Sequence, residues 1–462
     1  MDTAGRSRMS SPIKGVLRRT SFGPMLARVR EHGPRFLWHL LWLERSQWAT
    51  PARLREFQDA RIRDIVRHAS EHSAFYRERL ASAGVAPDQI RGAEDLEKLP
   101  LLTREDVRDH FSVIKASNAE RFRPQRGSTG GTTGVPMEFL RDRDTSSIGS
   151  AARWRCWRWH GARFGHRFAD IRFSVRPRTD VEAVVRYYPG SRTLFINPMS
   201  PSPQGLDAIV EHLTRFRPEV IRSGSPTWLA FLALYLLQRR KHAIRPNVVL
   251  VAGERVFPDQ RQLINEAFGV PAVELYGNWE YVGLGGECER GRLHLDTEVS
   301  FVEVLKDGRR CTPGETGDIV ATGLWNRSFP FIRYAIGDVG YFEPDPCPCG
   351  RGLPTWRVIG GRQKDFLATP DGYLFLPNSL LATPRWRSKI HGIRFYQETR
   401  REVLAQVVRG PEFQDHDLAA LRTDLEQLLR GRLRLSIEFC ENLEQTVGGK
   451  HRYIVSKVPI EV

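Results

Sequence analysis

The chain has 462 residues, 40% of them hydrophobic and 27% charged. That balance excludes wholesale disorder, and the length allows about three domains or one large domain with a smaller one. Lys and Arg number 70 against 54 Asp and Glu, so the net charge is +16 and anionic partners are favoured, while six cysteines in so long a chain exclude a disulfide framework and point to a reducing compartment.

Residues 1–35 are rich in Arg, Gly, Ser and Pro and read as a loose, solvated basic tail. Peripheral contact with a membrane through this basic segment is the sharper alternative. Phe36–Leu43, with its interfacial tryptophans, predicts a helix packed on the body of the protein, the alternative being a membrane-surface anchor. This run and Leu229–Leu237 are too short to span a bilayer. The basic start lacks an apolar core followed by a small-residue cleavage site, so the expected location is the cytoplasm. Thr50 followed by Pro51 predicts an N-cap and first helical position, opening a helix to about His68 with Leu54, Phe57, Ile62, Ile65 and Ala69 inward.

The middle alternates. Val220–Ile221 reads as a strand, Pro226–Arg240 as a helix and Val248–Val251 as a continuous apolar strand. Pro258–Phe268 reads as a helix closed by Gly269, and Val273–Leu275 as a strand. This order implies right-handed crossovers and a largely parallel sheet buried on both faces, with ligands beyond the carboxyl ends of its strands. From Val299 the texture changes to short alternating strands, Phe301–Leu305 and Asp318–Ala321. After Gly360 and Gly361 a smaller α+β unit is expected, with strands at Val403–Val407, Leu433–Phe439 and Tyr453–Val458 and a helix at Leu418–Leu429. The predicted fold is thus α/β: a large N-terminal domain, 1–360, with mostly parallel sheets, and a small C-terminal lid, 361–462.

The segment Ser128-Thr129-Gly130-Gly131-Thr132-Thr133-Gly134-Val135-Pro136 allows close backbone approach to an anion and adds hydroxyl donors around a polyphosphate. It is not a Walker A loop, and its bland alternative is a flexible linker. Further along come Ala252-Gly253-Glu254, Tyr276-Gly277-Asn278-Trp279-Glu280, Tyr334-Ala335-Ile336-Gly337-Asp338, Gly361-Arg362-Gln363-Lys364-Asp365 and Gly448-Gly449-Lys450. In this order the motifs resemble those of the adenylate-forming superfamily of acyl-CoA synthetases. With Leu99–Thr103 and Cys347-Pro348-Cys349-Gly350-Arg351, they narrow to its phenylacetate–CoA ligase-like branch, the one associated with capsular polysaccharide. The resemblance covers Trp48 to Val458.

The resemblance implies that a small carboxylic acid, aryl or otherwise, reacts with ATP to give an acyl-adenylate and is then passed to coenzyme A. It places Ser128–Gly134, Gly253, Glu254, Tyr276 and Gly277 at the nucleotide, Glu280 on Mg²⁺ and Asp338 on the ribose hydroxyls. Arg362 would hold the nucleotide at the joint, Lys364 would be the lid's hinge, and Lys450 would neutralise charge at the α-phosphate. Two departures stand out: Trp279 replaces the usual hydroxyl residue before Glu280, and Val135 replaces a frequent lysine. Two alternatives accompany this reading. One is a transferase of the same chemistry with a non-CoA acceptor, in polysaccharide or secondary-metabolite biosynthesis. The other is a catalytically reduced scaffold of the same fold.

Cys288, His294, Cys347 and Cys349 form a second constellation suited to a closed, structural zinc site; the alternative is four packing residues. Cys156, Cys311 and Cys440 read as packing residues. Arg153, Arg155, Arg158, Arg163 and Arg167 interleave with Trp154, Trp157 and Trp159. This run is expected to be a helix wall of the substrate region, and no nucleic-acid partner is expected.

Overall fold

In the computed structural model the described residues are 22–129, 137–172, 184–197, 203–239, 244–253, 256, 258–361, 367–370, 374–375, 389–429, 431–443 and 454–458. The chain opens with α1 (Phe22–His32), α2 (Phe36–Ser46), α3 (Pro51–His72) and α4 (Ala74–Ser82). α2 buries Phe36, His39, Leu40 and Leu43, as a packed helix should, and leaves Trp38 and Leu41 exposed. Thr50 caps α3 by accepting from the Arg53 amide, with Pro51 in the first turn. Leu54, Ile62, Ile65 and Ala69 are buried and Phe57 is half-buried. The helix runs one turn past the expected end because Ala69 still accepts the Ser73 amide.

The hairpin β1 (Gln125–Thr129) and β2 (Met137–Arg141) leads into α5 (Arg143–Trp159), capped by Asp142 accepting from the Thr145 amide. There follow β3 (Phe168–Ile171), β4 (Val184–Tyr188), β5 (Thr193–Asn197), α6 (Pro203–Phe216), β6 (Val220–Ser223), α7 (Pro226–Gln238), β7 (Val248–Ala252), α8 (Pro258–Phe268), β8 (Ala272–Tyr276), β9 (Gly285–Glu287) and β10 (Leu293–Leu295). These strands form one sheet in the order β10-β9-β8-β7-β6-β3-β5-β4, parallel from β8 through β5 and antiparallel at both edges. β7 lies inside the parallel stretch with Val248, Val249, Leu250 and Val251 buried, which is why it reads as an unbroken apolar run. Burying each such side chain contributes roughly 1.5–3 kcal/mol. One face packs under α6, α7 and α8 through Leu213, Leu229, Leu232, Leu236 and Ile264; the other packs under α2 and α5. Gly269 ends α8 at φ +73°, a backbone state a side chain would strain.

A second sheet, antiparallel throughout, has the order β12-β11-β13-β14-β15, from β11 (Ser300–Lys306), β12 (Arg309–Arg310), β13 (Gly317–Gly323), β14 (Tyr334–Phe342) and β15 (Trp356–Gly361). Its core joins α3 through Ile62, Ile65, Phe329, Phe331, Tyr334 and Trp356. After the short pair β16 (Leu367–Ala368) and β17 (Leu374–Phe375) come β18 (Ile390–Gln397), β19 (Glu402–Arg409), α9 (Asp415–Leu429), β20 (Arg434–Phe439) and β21 (Ile454–Ser456). Their mixed sheet, β20-β19-β18-β21, has a core of its own including Phe395, Val407, Leu421, Leu425 and Ile454. Among the described residues no helix is long and apolar enough to cross a membrane.

Candidate active site and metal centre

β8 ends at Tyr276, and the loop beyond it meets β14 of the second sheet. A Cβ at Gly277 would lie 2.9 Å from Leu284 Cδ2, so a side chain there would have to displace the end of that leucine. The Tyr276 hydroxyl hydrogen-bonds the Asp338 carboxylate, and its ring stands edge-on to Trp356 at 5.0 Å. Burial, with the Asp338 charge added, pushes the Tyr276 phenol well up, so it remains a donor at neutral pH. Asp338 follows Gly337, whose φ of +89° falls within β14 where its register against β13 shifts, and pairs in register with Gly361 at the end of β15.

Glu280 is buried and accepts a hydrogen bond from the Tyr334 hydroxyl at 3.2 Å. The same hydroxyl lies 3.6 Å from the sulfur of Met137, the first residue of β2. The hairpin that brackets the glycine-rich loop thus closes beside Glu280: Ser128 pairs with Glu138 and Thr129 with Met137. Gly253 caps β7 at φ +88°, where a Cβ would fall 2.5 Å from the Gly224 carbonyl. Gly130, Gly131, Thr132, Thr133, Gly134, Glu254, Arg362, Lys364 and Lys450 lie outside the described residues. Trp279, the departure next to Glu280, turns its ring outward at 57% exposure, and its carbonyl accepts from Arg141 at 2.8 Å.

The second constellation also assembles. The ligand atoms of Cys288, His294, Cys347 and Cys349 all lie within 4.8 Å of one another. Cys288 Sγ is 3.7 Å from Cys347 Sγ, and Cys349 Sγ is 3.3 Å from His294 Nε2. A tetrahedral zinc with bonds near 2.3 Å to sulfur and 2.0 Å to nitrogen has S···S and S···N edges of about 3.8 and about 3.5 Å. His294 Nδ1 contacts the Leu353 carbonyl at 2.9 Å, which fixes the ring and turns Nε2 toward the thiols. Burial holds the His294 pKa down at about 4, so the imidazole is neutral at physiological pH and has a lone pair to give. Burial pushes the Cys347 thiol up to about 12, whereas hydrogen bonds from the Arg351 amide and side chain bring Cys349 below its usual value against its own burial. Cys156, Cys311 and Cys440 contact backbone carbonyls elsewhere.

Sequence reading passed over two features, the ion pairs of Arg155 and the setting of Tyr281, while the expected helix wall is present. Arg155 is fully buried and pairs with Asp296 and, at 2.7 Å, with Glu298, tying α5 to the segment ahead of β11. Burial pushes Asp296 up, and the Glu298 charge adds to it, against the pull of Arg155. Trp154 and Trp157 are buried around that helix, so the arginine–tryptophan run is a packed wall. Tyr281 takes a left-handed φ of +59° directly after Glu280. Arg141 and Arg153 gather around it, and no local sequence pattern announces that grouping.

The parallel sheet, the antiparallel second sheet and the mixed terminal sheet together form the fold of the adenylate-forming acyl-CoA ligases. The structure of 2-hydroxyisobutyryl-CoA ligase in its postadenylation state superposes with a TM-score of 0.68 at 20% identity, covering 89% of this chain and 91% of that one. In sequence, the chain is 29% identical to a phenylacetate–coenzyme A ligase of Thermus thermophilus over 328 residues, 68% of this chain and 72% of the relative. It is 22% identical to protein CapK of Staphylococcus aureus over 411 residues, 87% and 89% of the two chains. No family model matches the chain. The chain is therefore similar in sequence to phenylacetate–CoA ligases and shares the fold of 2-hydroxyisobutyryl-CoA ligase.

Proposed function

We propose that the chain is an AMP-forming acid–thiol ligase that activates a small carboxylic acid and transfers it to coenzyme A. The carboxylate oxygen attacks the α-phosphorus of ATP and pyrophosphate leaves; the thiolate of coenzyme A then attacks the acyl carbon and AMP leaves. The observation that carries this reading is the meeting of Tyr276 and Asp338 with Glu280, Tyr334 and Met137, which draws three separate motifs to one place. Asp338 receives the ribose hydroxyls, a carboxylate's bidentate task. Glu280 would hold Mg²⁺, whose charge would offset that of the phosphates, and Ser128–Gly134, Gly253, Glu254, Tyr276 and Gly277 would surround the nucleotide. Arg362, one residue beyond the partner of Asp338, holds the nucleotide, and Lys450 neutralises the developing charge. The relatives' own names support coenzyme A as the acceptor. Acid-dependent appearance of AMP and an acyl-CoA product, followed by mass spectrometry, tests the reading; AMP formed without any thioester would move the chain to a different acceptor.

Residues 1–360 are the domain that binds ATP and the acid, and 361–462 the lid. Lys364 is the hinge between the two half-reactions, a gating role. Proline fixes φ near −65°, so Lys364→Pro is expected to trap one lid orientation and separate exchange of pyrophosphate from thioester formation. Equal loss of both steps, or of neither, contradicts the hinge. Asp338→Ala is expected to raise KM for ATP by roughly 10- to 100-fold, the worth of hydrogen bonds to a charged group, with a smaller change in kcat. An unchanged KM removes Asp338 from the ribose. The four-donor cluster holds a structural zinc that pins the segment after β9 to the turn before β15.

A further inference from the structure

The loop carrying Glu280 has two sides. Tyr276 turns toward Asp338 and Trp356 of the second sheet, the side assigned to the nucleotide. Tyr281 turns the other way, into the core beneath α5, where it packs with Ile148, Ala152 and Leu284. Its ring lies so close to α5 that a Cβ on Gly149 would stand 2.4 Å from Tyr281 Cδ2. On that side the interior is cationic. The Arg141 guanidinium lies 4.2 Å from the centre of the Tyr281 ring and that of Arg153 lies 4.9 Å away, with Arg153 also hydrogen-bonded to the Tyr281 hydroxyl. The charge of Arg222 acts on both Arg153 and Tyr281.

The carboxylates nearby are committed elsewhere. Asp170 takes a two-pronged bond from Arg222, at 2.9 and 2.6 Å, and a third contact from Arg172 at 3.1 Å. Glu31 takes Arg28 at 2.8 Å. Among the described residues Arg153 has no carboxylate partner; its hydrogen bonds go to Tyr281 and to Ser150 Oγ at 3.2 Å, and its Nε is buried with no acceptor. The phenol is partial compensation. Burial raises the Tyr281 pKa, but the charges of Arg153 and Arg141 outweigh burial and draw it below the usual phenol range. Arg153 is half-buried and lacks a carboxylate among the described residues, so an arriving anion would supply the counter-ion its partly dehydrated guanidinium is missing.

We infer that the acid this chain activates carries a second anionic group, a carboxylate remote from the reacting one, and that Arg153, backed by the Tyr281 hydroxyl, is the residue that selects it. The inference rests on the adenylating reading above, since it takes the Glu280 loop as the border between nucleotide and acyl group. Arginine suits the task because its planar fork meets a carboxylate with two parallel bonds. A buried donor left empty by a monoacid then acts as the penalty that discriminates.

The experiment compares acids matched in size: succinate with butyrate, adipate with hexanoate, and terephthalate with p-toluate. Acid-dependent ATP–pyrophosphate exchange is measured as kcat/KM for wild type, Arg153→Met and Arg153→Lys, with melting temperature as the folding control. In the pair that fits best, the diacid should be preferred by about 10²-fold or more. Arg153→Met should erase that ratio without changing KM for ATP, and Arg153→Lys should keep part of it. Exchange that favours monoacids in every pair overturns the inference and leaves adenylation standing. A rise in KM for ATP that is alike with both members of a pair also overturns it, because the guanidinium then serves the nucleotide. No exchange with any acid removes the adenylating reading and the inference together. If Arg153→Met does not fold, the Arg153→Lys ratio decides alone.

Discussion

Lys450→Ala is expected to lower acid-dependent ATP–pyrophosphate exchange by on the order of 10²-fold or more while ATP still binds, because the lost charge acts mainly on the transition state. Lys450 ends the run Gly448-Gly449-Lys450, outside the described residues, shortly before β21 begins at Ile454. β21 pairs in parallel with the interior strand β18, Phe395 opposite Ile454. A lysine suits the task because its ammonium is a compact charge on a flexible stem, where a planar guanidinium would have to be steered. The separation of effects is the diagnostic: nucleotide affinity, read by calorimetry, holds, and the exchange rate collapses. Near-normal exchange in the variant would falsify this role for Lys450.

Purified without added metal, the protein is expected to contain about one zinc per chain, and Cys349→Ser should destabilise it by on the order of 4 kcal/mol or more, the scale of losing a structural metal. Cys349 Sγ lies 3.3 Å from His294 Nε2 in a cluster of four ligand atoms that all lie within 4.8 Å of one another. Cys440, which contacts only the Val407 carbonyl, is the control; Cys440→Ser should cost far less. The cluster has a mechanical reason to matter. Cys288 sits just past β9 and His294 on β10, the strand that pairs with β9, while Cys347 and Cys349 precede β15. One ion held there would fasten the first sheet's edge to the second sheet. Metal-free protein with an unchanged melting temperature contradicts the assignment.

Local physics made much of this fold legible. The apolar run of β7, the Thr50–Pro51 start of α3, the leucine spacing of α7 and the Gly269 stop of α8 are each written within a few residues and occur where the pattern places them. β14, β15 and β18 were harder. β14 carries Gly337 and Asp338 in its middle, and β18 is given its place by β19 and by the distant β21, whose pairing no local window contains. The same distance hid the Arg155 pairs, 141 and 143 residues apart. Tyr281 was invisible for another reason: its left-handed backbone belongs to a residue type that gives no sign of it. The four-ligand cluster was visible only as residue types, because a Cys–His pair and a remote Cys-x-Cys meet only when β10 is laid beside β15.

The central claim, that this chain joins a carboxylate to AMP, is tested most directly by exchange of radiolabelled pyrophosphate into ATP, measured with and without a panel of mono- and dicarboxylic acids and in the absence of coenzyme A. Exchange requires a reversible adenylation step and nothing after it. The account predicts label in ATP only when a suitable acid and Mg²⁺ are both present, and its loss in Lys450→Ala. ATP that binds but takes up no label with any acid would contradict adenylation and leave only the fold.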